Sequence, residues 1–472
     1  MTNNTNGNHQ VTSNLAGSES SSLIEESIKS PQSTDMKLSN NCWKSNRKLQ
    51  VDIFACMFGI SAWVSINGMF TQLPILVQTA PEGWSLPSYL SLIIQFGNIG
   101  PVLYSLSLKL CPQRISDSKL IYFTLFMGCA SLMSLGLFYD QIWVVFDERH
   151  SMVLFINTFF LAIVGCISST LYMPFMNNYP EVYLVSYVVG EGLSGFVPSI
   201  IGLVQGVGGN PTCVNSTSPS GEVNLVPYTP PPNFSPGVFI FILFSMMVAA
   251  MVSFFMLNNL SSCKAEKVQD PVKRDSIVSP VTPVEMFMEP NTFTSPKPPD
   301  QVITPPMFKM YLVLTTIVSM VANGALPSAQ SYSCLPYGSL AYHLAVNLGN
   351  MANPIAAFLA DRAPHTDLSW VISLFSLSGI SIVFSLMTAA MSPNPPLQHS
   401  GWGTFIIVVC WVMNSSLISY VKMSIATVCR RSGGRSLYFY GMSTQAGAFI
   451  GSSIMFYLIT SKQIFTSYNP CS

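Results

Sequence analysis

Charge is the scarcest property of this sequence. Only 9% of its 472 residues are Asp, Glu, Lys or Arg, and 49% are hydrophobic. Soluble domains carry about 25% charged residues, so a soluble chain of this length could not cover its surface with so few. We therefore expect a surface in contact with membrane lipid. The formal net charge of zero gives no reason to expect a nucleic-acid partner.

Motifs for nucleotide and metal binding are also missing. The sequence has no Gly-x-x-x-x-Gly-Lys-Ser/Thr loop and no His/Cys spacing typical of a metal site. We therefore expect neither ATP hydrolysis nor a metal or other cofactor, and we do not expect an enzyme.

Long apolar segments are abundant instead. A spanning helix needs roughly 20 mostly apolar residues, and we predict eleven spans. They are residues 51–70, 89–108, 119–138, 151–171, 182–206, 237–257, 308–327, 339–360, 368–391, 402–422 and 436–460. The predicted fold is an all-α polytopic membrane protein in a 6+5 arrangement, like that of the major facilitators or the equilibrative nucleoside transporters.

The basic residues predict the orientation of these spans. With the N-terminus in the cytoplasm, every Lys and Arg except Arg149 and Lys462 falls on the cytoplasmic side, Lys422 included, as the positive-inside rule requires. The predicted regions are a disordered cytoplasmic tail (1–48), helices 1–6 (49–257), a flexible cytoplasmic loop (258–307), helices 7–11 (308–460) and an extracellular tail (461–472).

The two groups of spans repeat one another. The matching motifs are Asn67-Gly68 with Asn323-Gly324, Asn98 to Pro101 with Asn353-Pro354, and Gly190 to Gly195 with Gly441 to Gly447. They occur in the same order, which indicates a parallel internal repeat. Since Gly and Pro interrupt the helical hydrogen bonds, and lipid does not tolerate such breaks, we expect these places to point inward.

Glu191 is the clearest functional candidate. It lies about nine residues into the fifth span, or roughly 14 Å deep, between Gly190 and Gly192. An ionisable group at that depth is costly and often functional. One interpretation is a proton-titrating or substrate-binding carboxylate. The other is a structural carboxyl hydrogen-bonded to a neighbouring helix.

The first span carries a stripe of larger polar and aromatic side chains. Trp63, Asn67 and Phe70 follow one another at i, i+4 and i+7, which predicts one helix face. That face could stack on a flat ring and hydrogen-bond to its edge. The alternative interpretation is an ordinary packing stripe with one interhelical amide bond.

Neutral amides accumulate in other spans. Gln95 and Asn98 share a face of the second span, while Asn323 and Gln330 lie in or just after the seventh. Many amides and few charges are typical of a site for a polar, uncharged solute. His343, near the outer end of the eighth span, is either a proton-sensing group or a hydrogen-bonded structural His.

The predicted outer loops hold candidates for modification. Asn215 begins an Asn-Ser-Thr glycosylation sequon. Cys213, Cys334 and Cys471 also lie outside, and the sequence is compatible with one disulfide among them without indicating which two pair.

Four stretches make the chain resemble the eukaryotic riboflavin transporters. They run from Trp63 to Gly68 with 73–74 and 81–90, from Val189 to Gly195, from Leu326 to Ser328 with 332–345, and from Ser419 to Lys422. The resemblance covers nearly all spans. It implies an eleven-span plasma-membrane carrier that takes up riboflavin without ATP and without sodium.

The resemblance also implies a binding site. The family's binding residues correspond to Trp63, Asn67 and the aromatic residue at Phe70. The flat isoalloxazine ring of riboflavin suits stacking together with a few amides. Gln95, Asn98, Asn323 and Gln330 suit its ribityl hydroxyls, and Glu191 completes the predicted set.

The chain departs from the family pattern at three positions. Family members carry Trp at the position of Phe70, an acidic residue at that of Gln72, and at that of Asn394 a Cys paired with a C-terminal Cys. Gln72 cannot titrate, so a proton dependence based on this position is lost. Cys471 is then either free or joined to Cys213 or Cys334.

Three hypotheses of function remain open at this point. The first is a riboflavin carrier that works by alternating access around spans one, two, five, seven and eight, facilitative or stimulated by protons. The second is a carrier of another flat heterocycle, such as a nucleoside. The third is a membrane receptor that binds without transport.

Overall fold

A computed structural model describes residues 47–110, 116–217, 223–267, 304–362, 367–432, 434–467 and 471. Most of the predicted tail (1–48) and of the predicted loop (258–307) lies outside these residues. The first described helix begins at Leu49. Short helical segments enter the predicted loop from both sides, because Ser261–Lys264 and the first residues of Pro305–Met320 are helical.

Helices make up nearly all of the first part of the chain. They are α1 (Leu49–Ile60), α2 (Val64–Thr79), the short 3₁₀ helix Gly83–Ser85, α3 (Leu86–Phe96), α4 (Ile99–Leu110), α5 (Asp117–Phe138), α6 (Met152–Met176), α7 (Glu181–Gln205), α8 (Pro236–Asn259) and α9 (Ser261–Lys264). We call residues 50–267 the N-terminal half.

The second part continues in the same way. It contains α10 (Pro305–Met320), the π-helix Val321–Ala325, α11 (Leu326–Cys334), the 3₁₀ helix Leu335–Tyr337, α12 (Ser339–Arg362), α13 (Leu368–Ala390), α14 (Gly401–Arg431) and α15 (Gly434–Thr460). We call residues 304–471 the C-terminal half.

Two antiparallel hairpins interrupt the helices of the N-terminal half. Strands β1 (Trp143–Val145) and β2 (Glu148–His150) pair with Trp143 opposite His150. Strands β3 (Thr212–Thr217) and β4 (Val223–Tyr228) pair with Thr212 opposite Tyr228. Both hairpins connect helix ends on the side of the bundle where Thr79 and Ser339 lie. We call this side the disulfide end, because Cys213 of β3 forms a disulfide with Cys471 there.

The first two predicted spans are broken rather than continuous. The axes of α1 and α2 meet at 51°, and α3 ends at Phe96 before α4 begins at Ile99. At the first break, Ser61 Oγ donates to the carbonyl oxygen of Phe58 at 2.6 Å. Such local bonds compete with the helical ladder. The second break lies at the predicted motif Asn98 to Pro101, whereas the first lies before Asn67-Gly68, through which α2 runs unbroken.

Length and hydropathy support most of the predicted spans. Within the described ranges, nine helical segments are long and apolar enough to cross a membrane, and the bent pair α1–α2 makes a tenth. The 24-residue α12 does not reach the same hydropathy, because it carries His343, Asn347, Asn350 and Asn353. The polytopic helical fold is confirmed, and the count of eleven stays a prediction.

Glycines bring helices together at backbone distance. A Cβ added to Gly190 of α7 would collide with the carbonyl oxygen of Cys56 in α1, and one added to Gly447 of α15 with that of Thr316 in α10. Small residues are what allows helices to pack closely in lipid. In each half, therefore, the first helix lies directly against the fifth span.

Candidate functional site

The C-terminal half encloses a cavity of about 420 Å³. Its lining runs from the π-helix and α11 across α12 to α14 and Tyr440 of α15. Phe70 of α2 is the one residue of the N-terminal half among the lining residues. Small-molecule sites have volumes of roughly 300–1,000 Å³, so this cavity could hold a small organic solute.

A proline creates the irregular helix on one wall. Pro327 has no N–H to donate to the carbonyl of Asn323, four residues earlier. The chain forms the π-helix Val321–Ala325 immediately before it, and Ser452 Oγ of α15 donates to the Asn323 carbonyl at 3.2 Å. π-Helical turns often occur at functional sites. Here the turn places Asn323 on the cavity wall, with Gln330 further along α11.

Helix α14 forms the opposite wall. Its lining residues extend from Trp411 to Ala426, about 22 Å along the helix axis. Ser415 Oγ donates to the carbonyl of Gly349 at 2.8 Å, and Ser419 Oγ donates to Asn353 Oδ1 at 3.0 Å. These bonds fix α14 to α12, so the wall is rigid.

Some polar atoms of the wall are already satisfied. Asn414 accepts from Ser381 Oγ at 2.5 Å and donates to Ser385 Oγ at 3.1 Å. Trp411 Nε1 donates to Ser333 Oγ at 3.1 Å. The Nδ2 atom of Asn350, in contrast, is buried without a hydrogen-bond partner among the described residues. Because an unmatched buried donor is costly, Asn350 is suited to bind an acceptor on a ligand.

Three of the predicted binding residues line this cavity: Phe70, Asn323 and Gln330. The other two members of the first-span stripe lie elsewhere. Ring atoms of Trp63, at the break before α2, lie 3.0 Å from the place of a Cβ on Gly165 in α6. Asn67 Nδ2 donates to Ser194 Oγ of α7 at 3.2 Å. Neither belongs to the cavity lining, and their binding role stays a prediction.

Gln95 and Asn98 lie at the contact between the two halves. Gln95 is buried, and Asn98 Nδ2 donates to its carbonyl at 3.1 Å. The same Nδ2 donates to Gln445 Oε1 of α15 at 3.0 Å. Both residues lie outside the cavity lining, next to the break between α3 and α4.

Glu191 and His343 also lie outside the cavity lining. Glu191 is half-buried in α7, one turn before Ser194, and within the described residues its carboxylate forms no ion pair. His343 is buried in α12, where its Nδ1 lies 3.2 Å from Asn347 Nδ2. A proton-sensing role for either residue stays a prediction.

Polar and aromatic contacts join the halves at the disulfide end. Gln78 Nε2 donates to Ser339 Oγ at 3.2 Å, and Ser331 Oγ donates to the carbonyl of Trp84 at 2.6 Å. The rings of Trp84 and Tyr332 also meet edge to face, 5.8 Å apart. These contacts hold the two halves together at the disulfide end.

A disulfide between Cys213 and Cys471 gives this end its name, with Cα atoms 5.6 Å apart. It links β3 of the N-terminal half to the C-terminal tail. Cys334, the third candidate, is a free thiol fully buried in α11. Asn215 is exposed on β3, a position accessible to glycosylation.

A family model described as "Solute carrier family 52, riboflavin transporter" matches residues 47–467 of this chain. The chain belongs to this family. The match includes every described helix, so the family relationship extends to both halves and to all residues that line the cavity.

The chain matches its curated relatives over almost their whole length. The chain is 38% identical over 443 residues to "Solute carrier family 52, riboflavin transporter, member 3-A" of Danio rerio, covering 90% of this chain and 98% of the relative. It is 33% identical to member 3 of Homo sapiens, covering 89% and 98%. It is 32% identical to "Riboflavin transporter rft-1" of Caenorhabditis elegans, covering 88% and 97%.

Solved structures show the same fold at low sequence identity. A mutant of the nucleoside transporter NupG aligns with a TM-score of 0.51 at 8% identity, covering 90% of this chain and 93% of that one. The D-xylose-proton symporter aligns with a TM-score of 0.51 at 12% identity, covering 88% and 91%. The predicted major-facilitator-like architecture is thereby confirmed.

The sequence did not predict that the tenth and eleventh spans contribute residues to the site. Trp411, Asn414, Lys422 and Tyr440 line the cavity, whereas spans two and five, which were expected to contribute, do not. The stretch Ser419 to Lys422 was a signal, because it belongs to the motifs shared with the family.

The helix that carries Lys422 is longer than the predicted span 402–422, and the cytoplasmic side of Lys422 stays a prediction. We expected a cytoplasmic loop charge at the end of a span closing at residue 422, but α14 continues to Arg431 and Lys422 lines the cavity. The cause is the two helical turns after Lys422, which the hydropathy pattern assigned to the loop. Tyr440 Oη donates to the Lys422 carbonyl at 3.1 Å and fixes this part of α14.

Proposed function

We propose that this chain carries riboflavin across the membrane by alternating access of the cavity between Phe70 and the C-terminal half. Membership of the riboflavin transporter family supports the substrate. The observation that carries the proposal is the cavity lining, which combines aromatic rings with the amides of Asn323, Gln330 and Asn350. A flat ring with a polar edge and a hydroxylated chain requires this combination.

Phe70 provides the stacking face in this proposal. It is half-buried and reaches the cavity from α2, opposite the amides. Asn323 and Gln330 bind the polar edge or the ribityl hydroxyls. Trp63, Asn67, Gln95, Asn98 and Glu191 remain proposed binding residues, which would approach the ligand only if the halves moved relative to one another.

We place the protein in the plasma membrane, with the N-terminus in the cytoplasm and the disulfide end outside. The positions of Cys213–Cys471 and of Asn215 support this orientation, since disulfides and glycans form outside the cytosol. The contacts at the disulfide end then close the cavity toward the outside. Glycosidase treatment should shift the gel mobility of the wild type but not of Asn215→Gln.

The test of function is uptake of labelled riboflavin by cells that express the chain. Wild type should accumulate riboflavin above empty-vector cells without added sodium, and ATP should not be required in vesicles. Phe70→Ala should lose most uptake and Phe70→Trp should retain it. Wild-type uptake at the vector level, with normal surface expression, would refute the proposal.

The same assay tests the residues outside the cavity. Trp63→Ala and Asn67→Ala transport normally if only the cavity lining binds, and lose uptake if the first-span stripe enters the site. Glu191→Gln and His343→Gln, measured with and without an imposed pH gradient, test proton stimulation. Competition by unlabelled nucleosides but not by lumiflavin-type rings would favour a nucleoside carrier, and binding without accumulation would favour a receptor.

A further inference from the structure

Lys422 is a cation on the wall of the cavity. It belongs to α14, nine residues before the end of this helix at Arg431, and its side chain is half-buried. Removing a charge from water is costly unless a partner or a ligand compensates for it.

No acidic residue offsets this charge within the described part of the chain. None of the described carboxylates forms an ion pair with Lys422, and its fellow lining residues are uncharged. The Tyr440 hydroxyl donates to the backbone carbonyl of Lys422 and does not engage its ammonium group. The backbone is therefore held in place, while the ammonium group is available to the cavity.

Other polar groups of the cavity lining add to this excess of donors over acceptors. The Nδ2 atom of Asn350 is a second donor without an acceptor among the described residues. The acceptors of Asn353 and Asn414 are already used by Ser419 and Ser381. The cavity thus offers one charged and one neutral donor for which the described residues provide no acceptor.

We propose that Lys422 is a specificity-determining residue that donates a charge-assisted hydrogen bond to the acceptor edge of the carried heterocycle. The chemical class is a ring whose edge presents carbonyl oxygens and unprotonated ring nitrogens, which carry partial negative charge. A bond from an ammonium group to such atoms is roughly twice as strong as a neutral one. This inference rests on the proposed function, because riboflavin has such an edge.

The experiment compares riboflavin with an analogue in which a carbonyl oxygen of the pyrimidine edge is replaced by sulfur, a weaker acceptor. Uptake kinetics are measured for wild type, Lys422→Met, Lys422→Gln and Lys422→Arg. Lys309→Met is the matched control, since Lys309 is exposed near the start of α10. Binding to purified protein is measured in parallel by quenching of flavin fluorescence.

We expect Lys422→Met to raise KM and Kd for riboflavin about tenfold to a hundredfold, with surface expression unchanged. Wild type should prefer the oxygen compound, and Lys422→Met should lose that preference. Lys422→Arg should retain part of it, Lys422→Gln less, and Lys309→Met should behave as wild type. This loss of preference is a readout that a merely structural lysine would not change.

Two results would overturn the inference. One is a Lys422→Met or Lys422→Gln variant that keeps the wild-type KM and the preference for oxygen, even if its maximal rate falls. The other is an equal loss of affinity for both compounds in every variant, Lys422→Arg included, which indicates a packing role. Wild-type uptake at the vector level is a separate result, because it refutes the proposed function itself and this inference with it.

Discussion

The two halves of the molecule are built alike at their glycine contacts and differ in their polar groups. In the N-terminal half, α1 lies against α7 where Gly190 meets the carbonyl of Cys56; in the C-terminal half, α10 lies against α15 where Gly447 meets that of Thr316. The same kind of backbone contact thus occurs in both halves, and the parallel repeat stays a prediction. Both contacts place the broken first span of a half beside its fifth.

Two fully buried amides of the N-terminal half, those of Gln72 and Gln205, satisfy one another. Gln72 Nε2 donates to Gln205 Oε1 at 2.6 Å, and Gln205 Nε2 donates back to Gln72 Oε1 at 3.2 Å. In the C-terminal half, Asn350 and Lys422 present donors to a cavity. The difference supports the proposal that the C-terminal half recognises the ligand, while the N-terminal half contributes Phe70.

The largest expected effect on stability tests the glycine contacts that the two halves share. Gly190→Val and Gly447→Val should each destabilise the fold by about 3 kcal/mol or more, because the added side chain meets backbone that cannot move aside. The measure is the melting temperature and the monodisperse fraction in detergent. Gly441→Val is the control, since a Cβ there meets nothing within 4 Å. Tolerance of Gly447→Val alone would mean that the two contacts are not equivalent.

The next effect concerns the covalent link between the halves. Loss of the Cys213–Cys471 bond, which spans 258 positions, should lower the free energy of unfolding by about 2–4 kcal/mol. Cys213→Ser, Cys471→Ser and the double variant should share one melting temperature, and reductant should bring wild type to the same value. Unequal single variants would contradict the pairing.

A smaller effect tests the self-satisfied amides. Gln72→Leu leaves the fully buried side chain of Gln205 without one partner, which should cost about 1–3 kcal/mol. The double variant Gln72→Leu/Gln205→Leu should recover part of this loss. The recovery is incomplete because Gln205 Nε2 also donates to the carbonyl of Phe234 at 3.0 Å. Additive losses in a double-mutant cycle would show that the pair is not coupled.

The smallest effect on stability is expected for the side chain of Asn350, since its donor does not contribute a hydrogen bond to the fold. Asn350→Leu removes a donor that has no partner among the described residues, so the melting temperature should stay near that of wild type. Riboflavin affinity should fall by about tenfold, the value of one lost hydrogen bond of about 1.4 kcal/mol. A large drop in stability with unchanged affinity would remove Asn350 from the site.

Part of the candidate site could be predicted from the residues. The residues that the sequence analysis placed wrongly or missed depend on contacts that a local pattern does not show. Phe70, Asn323 and Gln330 were selected because polar and aromatic residues in an apolar span stand out from their surroundings. Trp63 lies in the break before α2 and contacts Gly165, while Asn67 follows on α2 and donates to Ser194 of α7. Lys422 was missed because a charge near the end of an apolar segment has the same pattern whether it enters the loop or the cavity.

Composition and order along the chain determined that this is a polytopic helical membrane protein and which family it belongs to. Those properties depend on hydropathy and on motifs, which are local. Tertiary structure decided which amides are satisfied and which are free, because the partner of Asn67 lies 127 positions away and that of Gln72 lies 133 positions away. The sequence shows the same amide whether or not its hydrogen bonds are satisfied in the fold. Only contacts with residues distant along the chain decide whether it stabilises the fold or lines the site.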